Sequence, residues 1–284
     1  MAKTKKPGAE KAAPGKEIEK KKSGEIVEQD FFKSVESLGY SGFENMDQSM
    51  ITVPFLKIAQ GQTPEAQEDH PAHIKGLRPG MLFNSVSGRV YGKEAEFLMI
   101  GIQHVYLRWG EDMGEFHGTY TQAEIDALLA SGAIKKDGFS SYSSDQDSSI
   151  MDSHTLFLLS AEHPDDGIMV MTFKMTGIKH SKKWITKARA LQINGKPAPI
   201  FCGVWKIGTR LNTNDEGQSW YLLGDKKSCN ITNTGTLLDK QYAHLQKPAL
   251  DAAGFVKSIQ EKVIDYGKSV DGSEAVAADE SDFA

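Results

Sequence analysis

The sequence predicts a β-rich (α+β) fold, a small Greek-key barrel with added helices between two unstructured ends. Three observations carry this. Short runs of β-branched and aromatic residues recur from Met81 onward, separated by Gly-, Asn- and Asp-containing turns. A helical pattern interrupts the strands before a closing hairpin. The two ends carry opposite charge and little that could pack. The expected organisation is a basic arm over 1–24, one folded domain over 25–268 and an acidic tail over 269–284.

The elements follow in order. Ile26, Val27, Phe31, Val35 and Leu38 recur near helical spacing, and Gly39 and Gly42 end that helix. Ile51 to Ala59 reads as an extended apolar segment broken by Pro54, and Gln60 to Pro79 as a polar loop. Met81 to Val86, a Ser87-Gly88 turn and Arg89 to Tyr91 form a hairpin. Glu94 to Trp109 is a long strand. Thr121-Gln122-Ala123-Glu124 is a capping box opening a helix that Gly132 closes. Ser140 to Ser149 reads as a Ser/Asp loop.

Strands over His154 to Ala161 and Ile168 to Thr176 flank a His163-Pro164-Asp165-Asp166-Gly167 turn. Ser181 to Ile193 is a helix with Trp184, Ile185, Ala188 and Leu191 on one side. A second hairpin pairs Ile200 to Leu211 with Gln218 to Leu223. After a loop, Ala249 to Gly267 is a last helix whose buried stripe is Phe255, Val256, Ile259, Val263 and Tyr266. One helix between the third and fourth main strands suits an OB-fold-like barrel. The same string also fits an α+β sandwich.

Charge narrows the partners. The formal charge of −5 is unevenly spread. Eight lysines face three glutamates in the first 24 residues, whereas five carboxylates and no Lys or Arg lie between Asp271 and Ala284. The middle is therefore itself acidic, and any polyanion site must be a local patch. Cys202 and Cys229 are the only cysteines and no CxxC occurs, so a zinc framework is not expected and a reducing compartment is. The Lys-rich start lacks the apolar run of a secretory signal. Phe97 to Leu107 is too short to span a bilayer. The expected location is the cytoplasm, with no membrane partner.

Basic and aromatic residues interleave in three places: Tyr106-Leu107-Arg108-Trp109; Lys179-His180-Ser181-Lys182-Lys183-Trp184, running on to Lys187 and Arg189; and a hairpin with Trp205-Lys206, Arg210, Trp220-Tyr221 and Lys226-Lys227. Single-stranded nucleic acid needs this combination, because cations follow the phosphates while flat rings stack on bases, at about 1–3 kcal/mol per ring. The candidate contacts are Arg108, Trp109, Lys179, Lys182, Lys183, Trp205, Lys206, Arg210, Trp220 and Tyr221. Tryptophans on strands also serve as core, and Trp184 sits on the apolar side of its helix. Of Trp220 and Tyr221, one ring should be buried and the other free.

Enzymatic patterns are weaker. No phosphate loop and no HExxH occur. Asp145, Asp147, Asp152, His154, His163, Asp165 and Asp166 could be gathered into a metal-dependent nuclease site, but they also read as solvated turn and loop residues. His70 and His73 lie in a Pro-rich loop. Cys202 lies in an apolar strand and reads as packing. No cofactor, metal or catalytic residue is expected.

With the tail Asp279-Glu280-Ser281-Asp282-Phe283, the barrel-like order and the basic-aromatic hairpin, the chain resembles bacteriophage single-stranded-DNA-binding proteins with an OB-fold and an acidic C-terminal tail. Val53 to Ile58, Gly80 to Gly88 and Gly217 to Tyr221 resemble stretches of such proteins too. Here Ala284 follows the aromatic on which that family usually ends. The resemblance implies a coat on single strands during phage DNA replication, recombination or repair, in the host bacterial cytoplasm. The tail residues Asp279, Glu280, Asp282 and Phe283 would compete with DNA for the groove and dock replication or recombination proteins. A homo-oligomer is compatible with it. Two other readings stay open: a metal-dependent nuclease or other DNA-processing enzyme, and a DNA-mimicking inhibitor or interaction protein suggested by the acidic middle.

Overall fold

Strand β4 (Glu94–Gly110) is 17 residues long, and the rest of the fold is arranged along it. The computed structural model describes residues 52–110, 116–137, 141–144, 148–224 and 229–259. The expected helix over Ile26 to Leu38, both charged arms, and Lys226 and Lys227 lie outside them. All described residues belong to a unit that starts at Thr52.

Three short strands precede β4: β1 (Leu56–Ile58), β2 (Leu82–Asn84) and β3 (Val90–Gly92), paired antiparallel in that order. The turn between β2 and β3 is held by Asn84, whose Oδ1 accepts from the backbone N–H groups of Val86 and Ser87 at 2.8 and 3.1 Å. After β4 come β5 (Phe116–Tyr120), helix α1 (Gln122–Ser131), β6 (Ile134–Asp137), β7 (Ser141–Ser144), β8 (Ser148–Ser160) and β9 (Ile168–Lys174). The expected capping box at Thr121 and Glu124 is present, and Gly132 closes α1 in the left-handed region at φ 76°. Helix α2 (Ile178–Arg189) follows, then β10 (Gln192–Ile193) and β11 (Lys196–Pro197), β12 (Gly203–Gly208), β13 (Arg210–Thr213), β14 (Ser219–Leu222), β15 (Ile231–Thr236) and α3 (Gln246–Ile259).

The main sheet is curled and eight-stranded among the described residues, in the order β15-β12-β4-β8-β7-β6, with β5 also on β4 and β9 also on β8. The long β4–β8 ladder is its spine, running from Phe97 opposite Ser160 to Gly110 opposite Ser148. A bulge between Met99 and Gly101 inverts the alternation. Phe97 and Met99 before it, and Ile102 after it, therefore all join the core under α2, beside Trp184, Trp205 and Phe173. On the other face Leu98, Ile100, Val105, Leu107 and Trp109 pack beneath α3, against Ala249, Ala252 and Val256. Tyr106, Ile125, Ile134 and Ile150 form a smaller cluster under α1.

Several expectations are corrected. Ser141 to Ser144 is a strand rather than part of a loop, because pairing with both β6 and β8 satisfies its backbone while Tyr142 packs against the α1 cluster. Helix α2 starts earlier and stops at Arg189, since Asn194 (φ 52°) and Gly195 (φ 73°) make the tight turn of the β10–β11 hairpin. The strand expected over Ile200 to Leu211 breaks at Thr209, whose hydroxyl donates to the Gly80 carbonyl, so β12 stays in the main sheet while β13 pairs only with β14. Strand β15 occupies a stretch expected as loop. On α3, Phe255 is 54% exposed, and Ala249 and Ala252 share the buried stripe with the expected Val256, while Val263 and Tyr266 lie outside the described residues.

Candidate functional site

Helix α2 brings the largest share of the expected cations together. Ile178, His180, Ser181, Trp184 and Ala188 face the sheet and are buried. The helical period therefore turns Lys182, Lys183, Lys187 and Arg189 outward and leaves Lys179 half-buried. Lys187 reaches along the surface to the Ile231 carbonyl at 2.5 Å. Cys229 lies beside this helix, its thiol 3.8 Å from the His180 carbonyl. Burial pushes that thiol up, and the charges of Lys187, Lys183 and Lys179 draw it back. The bridge between Gly224 and Cys229 thus ties the end of β14 to the basic helix.

Trp220 and Tyr221 stand just before that bridge on β14, and both are half-buried rather than one in and one out. A Cβ on Gly80 would lie 2.5 Å from the Tyr221 ring, so one side of that ring rests on bare backbone. The Lys93 ammonium stands 5.9 Å from the ring centroid. Gln60 fixes the strand: its Nε2 donates to the Tyr221 carbonyl at 3.0 Å and its Oε1 accepts from the Tyr221 N–H at 2.8 Å.

Other expected contacts are dispersed. Trp109 and Trp205, expected as stacking rings, are only 3% and 2% exposed. They are corrected to core residues, each packed among apolar neighbours and without a surface to offer a base. The Trp109 ring also meets Phe116 edge to face and carries the Lys174 ammonium 4.5 Å from its centroid. Lys206 is exposed but points to the face opposite Trp205. There it pairs with Glu94 at 2.7 Å, in a shallow depression that also holds Glu96 and Glu162. The Lys206 bond and charge hold the Glu94 carboxyl below its usual range. Arg210 is exposed at the start of β13. Arg108 is half-buried on the α2 side of the sheet, its Nε 2.8 Å from Ser148 Oγ and its Nη1 3.2 Å from the Tyr120 hydroxyl. Asp279, Glu280, Asp282 and Phe283 lie outside the described residues.

Between α2 and Arg108, the same face carries a polar group that sequence reasoning finds only in part. His104 stands directly across from His154, and Asp152 directly across from Tyr106. His104 Nε2 lies 2.6 Å from Asp152 Oδ1, and the two imidazoles meet edge to face at 5.1 Å. Burial raises the Asp152 carboxyl, but the His104 bond and the charges of His104, His154 and Lys182 outweigh it and hold the group low. Burial lowers His154, against the pull of Asp152. Tyr106, whose hydroxyl donates to Gln122, is pushed up to about 12, first by burial and then by Tyr142 and Asp152. The spacing of Asp152 and His154 by two is the available signal for a shared face. The partner His104 depends on register across the bulge, which the sequence does not give. The other expected carboxylates do not join this group: Asp165 and Asp166 instead bind Arg89, at 3.4 and 2.7 Å, and Asp145 and Asp147 lie outside the described residues.

The chain is thus a mainly β protein with a cationic helix laid across its sheet. Residues 20–244 match the model of the Pam3 phage gp34-like proteins, and the chain belongs to that family. No curated protein matches it, and no solved structure does. Among the described residues, no helix is long and apolar enough to cross a membrane.

Proposed function

We propose that the chain binds and protects single-stranded DNA without strong sequence preference during phage DNA replication, recombination or repair, as a non-enzymatic coat. The observation that carries this reading is the outward row of Lys182, Lys183 and Arg189 on α2, with the half-buried Lys179 beside it, tied through Cys229 to the strand bearing Trp220 and Tyr221. Cations there would follow the phosphates, and the two half-buried rings would take bases. Arg108 extends the basic face along β4. The run of three main strands, α2 and then β12 supports an OB-fold-like frame for the groove. The acidic tail with Phe283 would occupy the groove when no strand is bound and recruit replication or recombination proteins when displaced.

Fluorescence anisotropy of labelled oligo-dT against a matching duplex, across a salt series, tests the reading. Preference for the single strand, with a log–log salt slope of about −0.7 per phosphate contact, is expected. Absence of binding to either would overturn it and favour an interaction protein. Cleavage of the oligonucleotide in magnesium would favour a nuclease.

A further inference from the structure

The geometry points to a binding site for a first-row divalent transition-metal ion, with Zn²⁺ the best-matched, formed by His104, Asp152 and His154 on the α2 side of the sheet. This stands independently of the DNA-binding reading. One donor atom from each residue lies within 4.8 Å of those from the other two. Two imidazoles and one carboxylate suit zinc and its neighbours, whereas magnesium and calcium call for more oxygen ligands. With bonds of about 2.0–2.2 Å, a tetrahedral ion sets its ligand atoms roughly 3.4 Å apart. Seating the ion therefore means opening the 2.6 Å contact between His104 and Asp152 by under an ångström. The ligands sit on β4 and β8, the most extensively paired strands, so their backbones are already placed.

Ser181 supplies the second argument. Its Oγ lies 2.8 Å from the Ile178 carbonyl and 2.8 Å from His154 Nδ1. A carbonyl only accepts, so the single hydroxyl proton goes to Ile178. The serine oxygen must then accept from His154 Nδ1–H, which leaves the lone pair on Nε2. A metal-binding histidine needs this tautomer, with its other nitrogen anchored in this way. The His104 side chain remains 43% exposed, which leaves room for water or a further ligand on the ion.

The test uses the full, untagged chain freed of metal by chelation and dialysis, titrated calorimetrically with Zn²⁺ and followed by visible absorption with Co²⁺. One ion per chain and a cobalt d–d band are expected. His104→Gln and Asp152→Asn, both modest changes checked for native circular dichroism, should abolish the band. Ser181→Ala should weaken Zn²⁺ binding by about 10–100-fold. Failure of the wild-type chain to bind either ion overturns the proposal. So does a cobalt band that survives in both His104→Gln and Asp152→Asn, since the ion would then sit on other histidines.

Discussion

The side-chain amide of Gln60 takes the place of a neighbouring strand, offering Tyr221 both a donor and an acceptor from 161 residues away in the chain. Half-buried backbone groups lose water on folding, so they must find such partners or destabilise the fold. Gln60→Ala leaves the Tyr221 N–H and C=O without these bonds and should cost about 1–3 kcal/mol. The check is a lower urea midpoint at an unchanged m-value. The same change should loosen the Tyr221 ring from Gly80, whose φ of 85° and lack of a side chain allow the close seat. At this scale little is legible in the sequence. Gln60 lies in a stretch that reads simply as a polar loop, and nothing local marks its distant partner.

Elements are easier to read where the signal is local. The α1 box at Thr121 and Glu124, the hairpin around Asn84 and the length of β4 each rest on residues a few positions apart, and the sequence pattern anticipates each. Strand β15 and the split between β12 and β13 depend on partners far along the chain, and no local pattern announces them. Helix α2 lies between these cases: its basic outer row is visible in the sequence, its start is not. Because Lys182 and Lys183 are exposed, replacing both by glutamate should change stability by no more than about 0.5 kcal/mol. If α2 is the binding surface, the doubly substituted chain should hold oligo-dT more weakly, with a salt slope shallower by about 0.7 for each phosphate no longer neutralised. Unchanged anisotropy curves would move the binding surface elsewhere on the molecule.

On the scale of the whole molecule, two described patches on opposite faces of the main sheet differ in charge. The α2 side gathers cations, whereas Lys206 on the other side stands among Glu94, Glu96 and Glu162. That polarity suits an acidic tail that competes for one face only. Removing Asp271 to Ala284 should therefore tighten oligo-dT binding at low salt, and the gain should shrink as salt rises. Equal affinity of the shortened and complete chains at low salt would remove the competition.

The bulge in β4 has a meaning for how such a chain can change over generations. It acts as a phase marker: the large apolar residues before Gly101 and those after it fall into the same two cores only because one position is unmatched across the ladder. Losing or gaining a single codon between Met99 and His104 would turn His104 away from His154 and swap the residues beyond it between the α2 and α3 sides of the sheet. Substitutions in this strand can be absorbed one at a time. Changes of length cannot, so the meeting of His104 with His154 depends on a count of residues as well as on their kinds.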